Sequence, residues 1–368
     1  MKIKILHIAK TIGGVGVYTS LLSRHLDIDK FENVLICNGN DENIVHIDNN
    51  LQLIKVHYVN FEREISLLKD YRNFKKIIQI IKDEKPSIIH SHSAKAGVYG
   101  RVAGSLLKIP TLYTPHAFSF LSTENKFKNK IYKLIEQYLG NKKYSTILAC
   151  SASEKNQAIN INIKKEKILV WNNSIPELKS IKIKKRDKII TIARTTFQKN
   201  LDMLINVAEL VEKKYHKKEV FMIIGADKKS KEYKELMTKI KLKSLTNIVF
   251  LDWTSRKETL NLLQTGKMIV STSRYEGLPY ALIESLSLSK PIIATNVDGN
   301  RDLVKDNYNG YLIENFDEKI MANKINILLE NEIKLNEFEK NAKNVFMKNF
   351  NIKDNIKTLE RIYKNFAK

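Results

Sequence analysis

The sequence predicts an α/β protein with two doubly wound, parallel-sheet domains. Short apolar runs alternate with longer amphipathic stretches along almost the whole chain. Near-continuous apolar strands separated by helices are typical of a parallel sheet that helices cover on both faces. A length of 368 residues is too great for one ordinary core and fits two domains. We expect these Rossmann-like domains to face each other across a cleft at the carboxyl ends of their strands.

The first half of the chain contains apolar runs that we predict to be strands, namely Lys4–Ala9, Val34–Cys37, Leu51–Val56, Ser87–Ser91, Thr111–Thr114 and Thr146–Cys150. The stretch Tyr71–Glu84 is predicted to be a helix, because Phe74, Ile77, Ile78 and Ile81 recur on one face at helical spacing. The alternation then pauses over residues 172–187, which predicts a linker. This segment holds Pro176 and the start of a basic run made of Lys182, Lys184, Lys185, Arg186 and Lys188.

The alternation resumes after the linker. Strands are predicted near Lys188–Ala193, Val220–Ile224, Ile248–Leu251, Met268–Thr272 and Pro291–Ala294. Helices are predicted near Leu201–Lys214, Tyr233–Lys243, Lys257–Gln264 and Tyr280–Leu288, and residues 316–368 are predicted to be mostly helical. The division is therefore an amino-terminal domain over 1–171, a carboxyl-terminal domain over 188–348, and a final helix over 349–368 that packs back on the amino-terminal domain.

The chain is strongly basic, with 63 Lys and Arg against 40 Asp and Glu and a net charge of +23. This charge fits either an anionic surface as partner or compositional drift, since Ile, Asn and Lys are all abundant. The basic residues are dispersed and belong to no recognised nucleic-acid module, so nucleic acid is not the expected partner.

The cysteine usage and the hydropathy both favour a cytoplasmic location. Cys37 and Cys150 each end an apolar run, and two cysteines exclude a disulfide framework, so buried free thiols in a reducing compartment are expected. The amino terminus reads as a strand, without the apolar region of a signal peptide. No run approaches the ~18–20 apolar residues that a membrane span needs. We expect a soluble protein or one that binds a surface from outside.

The segment from Ser273 to Glu284 carries the sharpest functional signal. A predicted strand ends near Thr272, a loop then bears Glu276 and Gly277, and Pro279 stands where a first helical position is expected. Backbone N–H groups at such a helix start, together with the helix dipole, form an anion site suited to a diphosphate. Glycine lets the backbone come close to a ligand. The alternative is a capped surface helix with solvated glutamates.

Other candidate residues also follow predicted strands. Gly13 and Gly14 follow the first strand, where a tight turn is the alternative, and His116 follows the strand Thr111–Thr114. His90 and His92 alternate on one face of a strand end, and with no third ligand evident we favour a cleft-lining role over a metal site. The motif Asp27-Ile28-Asp29 is interpreted as a surface turn rather than a metal site.

Two glutamates eight positions apart, followed by Lys290-Pro291-Ile292-Ile293-Ala294, resemble the donor motif of glycosyltransferase family 4. The resemblance covers nearly the whole chain and includes Gly13-Gly14-Val15, Ile192-Ala193-Arg194, Gln198-Lys199-Asn200 and Val297-Asp298-Gly299-Asn300. It implies the GT-B fold and sugar transfer from a nucleotide-sugar with retention of anomeric configuration. The stretch from His90 to Gly97 looks like the subgroup that assembles capsule, exopolysaccharide or O-antigen repeats.

The resemblance also implies roles for individual residues. Arg194 and Lys199 grip the donor diphosphate in place of a metal, since a leaving nucleoside diphosphate develops charge that fixed cations stabilise. Glu276 binds the sugar hydroxyls, Glu284 binds the ribose, and His116 assists at the transferred sugar. The donor-binding set is completed by backbone and apolar groups of Gly13, Gly14, Gly277, Leu278 and Pro279. No metal or other cofactor is expected, and a UDP-linked sugar is the favoured donor.

Partners are expected on the acceptor side as well. Lys95, near a helix start, is a candidate for an acceptor phosphate. The stretch Lys126–Lys133 mixes cations with apolar side chains and fits docking on anionic headgroups, with a solvated basic face as the alternative. We therefore expect a saccharide acceptor carried on a polyprenyl diphosphate, at the inner face of the plasma membrane. The rival functions are a nucleotide-sugar epimerase or hydrolase of the same fold and a non-catalytic sugar-binding scaffold.

Overall fold

The structure is a computed structural model that describes residues 2–38, 46–61, 66–180, 186–216 and 219–367. The basic residues Lys182, Lys184 and Lys185 of the predicted linker lie outside these ranges. The chain forms two compact units, Met1–Asn173 together with Ile352–Lys368, and Ser174–Asn351.

In the first unit, the strands are β1 (Ile3–Ala9), β2 (Phe31–Cys37), β3 (Lys55–Tyr58), β4 (Ile88–His92), β5 (Thr111–Thr114), β6 (Ser145–Ala149) and β7 (Ile168–Val170). Over the described residues they form one parallel sheet in the order β3-β2-β1-β4-β5-β6-β7. The helices that cover it are α1 (Gly14–His25), α2 (Leu67–Glu84), α3 (Ala94–Leu107), α4 (Lys126–Gly140) and α5 (Ala152–Asn160).

In the second unit, the strands are β8 (Lys188–Ile192), β9 (Val220–Ala226), β10 (Ile248–Asp252), β11 (Gly266–Ser271), β12 (Ile292–Thr295) and β13 (Gly310–Ile313). Their order in the described sheet is β10-β9-β8-β11-β12-β13, again all parallel. The helices are α6 (Leu201–Glu209), α7 (Lys231–Leu242), α8 (Arg256–Gln264), α9 (Tyr280–Ser287), α10 (Asn300–Leu303), α11 (Glu318–Glu330) and α12 (Glu332–Asn349). The last helix of the chain, α13 (Ile352–Phe366), belongs to the first unit.

Both sheets confirm the predicted pair of doubly wound, parallel-sheet folds. Each core consists of aliphatic strand residues under amphipathic helices, such as Leu6, Ile8 and Ile89 in the first unit and Ile189, Val270 and Ile293 in the second. Cys37 and Cys150 are buried and belong to no disulfide, as expected from the apolar runs that they end. No described helix has the length and apolarity needed to cross a bilayer.

Several predicted boundaries were wrong. The run Leu51–Val56 is a strand only from Lys55, because Leu51 and Leu53 are 70% and 77% exposed and precede the paired segment. The short strands β7 and β13 were not predicted. The helix predicted over Leu201–Lys214 is α-helical to Glu209 and continues as a wider π-type turn to Lys214. Pro279 is the N-cap of α9 rather than its first helical residue.

Candidate active site

The strand order of the second unit reverses between β8 and β11, which are neighbours in the sheet and far apart in sequence. In a doubly wound sheet, ligands bind beyond the carboxyl ends of the strands at such a reversal. The loop after β8 carries Arg194 and Lys199, and the loop after β11 carries Glu276. The fold therefore brings two of the predicted motifs to the place where this architecture binds ligands.

These two loops are joined by hydrogen bonds between their backbones and polar side chains. The backbone N–H of Arg274 donates to the carbonyl oxygen of Gln198 at 2.8 Å. The Thr272 hydroxyl donates to the carbonyl oxygen of Lys199 at 2.9 Å, and the Gln198 amide donates to the carbonyl oxygen of Tyr275 at 3.0 Å. The loops thus form one connected surface, so that a ligand bound to one loop also meets the other.

Lys199 and Glu276 meet on this surface. The Lys199 Nζ lies 2.6 Å from the Glu276 Oε1, and the Gln198 Nε2 lies 3.3 Å from the Glu276 Oε2. Glu276 is 7% exposed, so these donors hold its carboxylate in one orientation. Both side chains line a hollow together with Pro279 and with residues of β8 and β11. Helix α9 begins at the same place, directly after Pro279.

The side chain of Arg194 lies apart from the other residues predicted to bind the donor. Its side chain is exposed and does not line the hollow, although its neighbour Ala193 does. Within the described ranges, no ion pair or side-chain hydrogen bond occupies its guanidinium. The structure therefore brings Lys199, Glu276 and Pro279 together and leaves Arg194 at their edge.

Glu284 lies on α9 and is paired with a residue that the sequence did not reveal. The Arg256 Nη2, at the start of α8, lies 2.6 Å from the Glu284 Oε1. Burial raises the pKa of the Glu284 carboxyl, and the nearby guanidinium opposes that rise. Arg256 belongs to no recognisable motif, because only the fold brings the start of α8 to Glu284. Glu276 and Glu284 are thus each paired with a different cation, Lys199 and Arg256.

Gly299 supports the loop that carries Glu276. Its φ of +83° lies in the left-handed region, and a Cβ at this position would meet the carbonyl oxygen of Gly277 at 2.6 Å and the Cβ of Glu276 at 2.9 Å. A hydrogen bond from the Thr295 hydroxyl to the carbonyl oxygen of Ser273, at 2.6 Å, ties the same region to β12. Leu278, between Gly277 and Pro279, is buried and anchors the loop.

In the first unit, the reversal of strand order lies between β1 and β4. Gly13 follows β1 with a φ of +59° and is the N-cap of α1, and Gly14 is the first residue of that helix. The turn conformation suits glycine and favours few other residues. Both predicted glycines are therefore at the strand-to-helix turn that the sequence pattern indicated.

The same edge of the sheet holds a cluster of histidines. His90 and His92 are on β4, and His7 on the adjacent β1 pairs in register with His90. All three are buried, and one nitrogen of each lies within 4.8 Å of the others, a spacing that three metal ligands also show. The sequence did not single out His7, because the register of the two strands had to be known before the three could be grouped.

His116 follows β5 in a strained turn. Its φ is +55° and that of Ala117 is +80°, a conformation that costs about 1–3 kcal/mol for each non-glycine residue. The buried Glu154 stabilises this turn, because its carboxylate accepts the backbone N–H of Ala117 at 2.8 Å and that of Cys150 at 2.7 Å. Such strain, held by a buried carboxylate, is common where a side chain must be aimed at a ligand.

The histidines of this edge are neutral at neutral pH. Burial lowers the pKa of His116 to about 3 and that of His7 to about 4, and it holds the pKa values of His90 and His92 well below their ordinary range. A neutral imidazole has one N–H and one lone pair, so it acts here as a hydrogen-bonding group rather than as a cation.

Two further positions considered in the sequence form ion pairs with neighbouring side chains. Lys95, in the first turn of α3, forms an ion pair with Asp70 at 2.7 Å. The segment Asp27-Ile28-Asp29 is the turn between α1 and β2, where Asp27 pairs with Lys30. It is the surface turn that the sequence indicated.

Two doubly wound units, each with a parallel sheet, are typical of the GT-B class of protein, and family models match both. The model described as Glycosyltransferase Family 4 matches residues 12–177, and the model described as glycosyl transferases group 1 matches residues 175–345. Together they span both units, and the chain belongs to these glycosyltransferases. It is thus an enzyme of sugar transfer, with the predicted fold and family both confirmed.

Named relatives agree with this assignment. The chain is 29% identical to the UDP-Gal:alpha-D-GlcNAc-diphosphoundecaprenol alpha-1,3-galactosyltransferase of Escherichia coli, over 98% of this chain and 97% of that one. It is 26% identical to the capsular polysaccharide biosynthesis glycosyltransferase CapM of Staphylococcus aureus, over 85% of each. The crystal structure of Anabaena HepE in complex with UDP and glucose has a TM-score of 0.82 at 17% identity, covering 99% of this chain and all of that one.

Proposed function

We propose that this protein transfers a sugar from a UDP-linked donor to a saccharide acceptor, with retention of anomeric configuration, in the assembly of a bacterial surface glycan. The observation that carries the proposal is the contact between Lys199 and Glu276 in the hollow beyond β8 and β11. A lysine and a carboxylate held together there suit a nucleotide-sugar, because the lysine can bind its diphosphate and the carboxylate can bind its sugar hydroxyls. The names of the relatives support a UDP-linked donor and a saccharide acceptor.

Each predicted site residue of the second unit has a proposed role. Lys199 has three N–H donors and can bind a phosphate oxygen while it keeps Glu276 in place. Arg194, exposed beside the hollow, is available to swing onto the diphosphate in a bidentate contact. Glu276 accepts hydrogen bonds from the sugar hydroxyls, and Glu284 accepts those of the ribose. The first-turn amides of α9 face the developing negative charge, so that fixed donors replace a metal.

The acceptor is proposed to be carried on a polyprenyl diphosphate at the inner membrane face, and helix α4 supports this proposal. Five large apolar or aromatic side chains recur at helical spacing on α4 and are 38–73% exposed: Phe127, Ile131, Leu134, Ile135 and Tyr138. Soluble proteins rarely expose a continuous apolar stripe of this kind without a partner. An apolar stripe on a helix surface fits partial insertion into the boundary between headgroups and acyl chains.

The charges of α4 point to an anionic surface. Its four lysines, at positions 126, 128, 130 and 133, flank the stripe, and its single acid, Glu136, is buried and paired with Arg101 at 2.8 Å. Every charged side chain on the exposed face of α4 is therefore positive. Each lysine near an anionic leaflet contributes about 1 kcal/mol. This arrangement favours a membrane over the alternative of a solvated basic helix.

Transfer is tested by incubating the protein with UDP-galactose, UDP-glucose or UDP-N-acetylglucosamine and a short-chain N-acetylglucosamine diphosphate lipid. We expect one donor to give an acceptor product whose new bond has the anomeric configuration of the donor. Glu276→Gln and Lys199→Met should lower kcat/KM by about 100-fold or more, because each removes fixed charge at the donor. Glu258→Gln, at an exposed glutamate of α8, is the matched control and should have full activity.

Other outcomes of this assay contradict the proposal. Donor breakdown at the same rate with and without acceptor would identify a hydrolase or epimerase instead. An inverted product would exclude the retaining reaction. If Glu276→Gln transfers sugar as fast as the unchanged protein, the assignment of the site is wrong.

Membrane docking is tested by sedimentation with vesicles of neutral or anionic phospholipid. We expect binding to anionic vesicles that weakens with salt, and that falls at least tenfold in a Phe127→Ser, Leu134→Ser double variant. The matched control is Leu242→Ser, at a leucine of α7 that is 82% exposed. Equal losses in both variants, or equal binding to neutral vesicles, would contradict docking through α4.

A further inference from the structure

The histidines of the first unit form one continuous hydrogen-bonded chain. The His116 Nε2 lies 3.4 Å from the His92 Nδ1, and the His92 Nε2 lies 3.1 Å from the His7 Nδ1. The chain ends where the His7 Nε2 lies 3.2 Å from the Oδ1 of Asn33, on β2. His7 and His92 are 2% and 0% exposed, so water does not compete for these contacts.

The terminal amide sets the direction of every bond in this chain. An amide oxygen only accepts hydrogen bonds, so the His7 Nε2 carries the proton. A neutral imidazole has a single N–H, and the His7 Nδ1 must therefore accept from the Nε2–H of His92. By the same step, the His92 Nδ1 accepts from the Nε2–H of His116. The proton of His116 is thus placed on Nε2 by a group three side chains away.

His90 is adjacent but lies outside the chain. The Thr114 hydroxyl donates to the carbonyl oxygen of Leu148 at 2.9 Å, and it accordingly accepts the Nε2–H of His90, also at 2.9 Å. The His90 Nδ1 accepts from the Tyr363 hydroxyl at 2.7 Å. The ring nitrogens of His7, His90 and His92 are therefore all engaged, which favours a hydrogen-bonded cluster over a metal site at these three residues.

We infer that His92, His7 and Asn33 are positioning residues that lock His116 in its Nε2–H tautomer. The locked tautomer leaves the Nδ1 of half-buried His116 as an acceptor, and no group in the described part of the chain bonds that nitrogen. This inference rests on the proposed function in one respect, the role in sugar transfer that the family resemblance implies for His116. An acceptor at Nδ1 selects a sugar hydroxyl and discriminates against a sugar that lacks a hydroxyl there.

The tautomer is read directly by nitrogen-15 NMR of the full chain labelled at histidine. Signals of His116 are assigned by their loss in His116→Asn. We expect the Nε2–H form to exceed the Nδ1–H form by about tenfold or more at pH 7, as the loss of a buried hydrogen bond implies. Asn33→Leu removes the terminal acceptor without touching His116, and it should bring the two forms to comparable populations.

Tyr363→Phe is the matched control, because it removes one hydrogen bond from the same cluster outside the chain. It should leave the tautomer of His116 unchanged. In the transfer assay, Asn33→Leu should lower kcat with little change in the KM for the donor, whereas Tyr363→Phe should change neither.

Three results would overturn the inference. They are a predominant Nδ1–H form of His116 in the unchanged protein, an unchanged tautomer in Asn33→Leu, and stoichiometric binding of added Zn²⁺ that shifts the signals of His7, His90 and His92 together. The first and third are read on the unchanged protein. A protein with the expected tautomer but without transfer activity would refute the proposed function and leave the chain of hydrogen bonds intact.

Discussion

At the scale of single residues, the hollow beyond β8 and β11 depends on side chains and on one position that must lack a side chain. Lys199 and Gln198 hold the carboxylate of Glu276 from one side. From the other side, the backbone of Gly299 lies directly against Glu276 and Gly277. The geometry of the glutamate loop is therefore set by close backbone contact as well as by charge.

Gly299→Ala should displace this loop and weaken UDP binding about tenfold or more. The added Cβ would stand 2.6 Å from the carbonyl oxygen of Gly277, which is backbone and cannot turn aside. The matched control is Gly225→Ala, because Gly225 also has a positive φ, of +98°, but its added Cβ meets its nearest neighbour at 3.5 Å. Both variants should lose stability through backbone strain, by about 1–3 kcal/mol.

Calorimetric titration of UDP and urea unfolding measure the two effects separately. If Gly299→Ala binds UDP as tightly as the control does, the loop is not held by this contact.

At the scale of elements, the final helix α13 completes the first unit rather than extending the second. It buries Ile352, Ile356, Leu359 and Tyr363, and the Trp171 indole N–H donates to the carbonyl oxygen of Asn355 at 3.0 Å. Its Tyr363 hydroxyl reaches His90. The helix thus packs on the sheet edge that carries the histidines.

Leu359→Ala should destabilise the first unit by about 2–5 kcal/mol, because Leu359 is fully buried and its truncation leaves a cavity. Ile333→Ala, on α12, is the control, since Ile333 is 84% exposed and should change stability by less than about 0.5 kcal/mol. Urea unfolding of both variants makes the comparison. Equal midpoints would show that α13 does not stabilise its unit.

The sequence predicted most elements and the main loops of the site for physical reasons. Buried parallel strands are continuous apolar runs, so β1, β5 and β8 were recognisable, and motif residues such as Glu276 follow a strand. The sequence did not reveal Arg256, His7 or Asn33, because their partners are distant in sequence and meet only through packing and strand register. The exposed Leu51 and Leu53 misled the assignment of β3, since an apolar pattern outside the core resembles one inside it.

At the scale of the whole molecule, the neutral histidines of the first unit make stability depend on pH. The pKa of His7 falls to about 4 and that of His116 to about 3 in the folded state, against 6.5 for a free imidazole. Below pH 6.5 the unfolded chain therefore binds protons that the folded chain does not, and stability falls as the pH falls. Each such histidine contributes a slope of up to about 1.4 kcal/mol per pH unit.

We expect the urea midpoint of the first unit to fall steeply between pH 6.5 and pH 4.5. A Trp253→Phe background leaves the buried Trp171 as the sole tryptophan, and its fluorescence then reports on this unit. Replacing the buried His90 by Asn should make the slope shallower even if it lowers the stability at pH 7. A midpoint that is constant or rises over this range would contradict the assignment of neutral buried histidines.

The second unit is proposed to bind a nucleoside diphosphate through fixed protein groups without a metal, and thermal unfolding with UDP in EDTA tests this binding. At 100 times its dissociation constant, UDP should stabilise the protein by about 2.7 kcal/mol, equally with EDTA and with Mg²⁺. Lys199→Met should abolish most of this stabilisation, and Glu258→Gln should retain it. No stabilisation by UDP, or stabilisation that disappears in EDTA, would contradict metal-free binding of the nucleoside diphosphate.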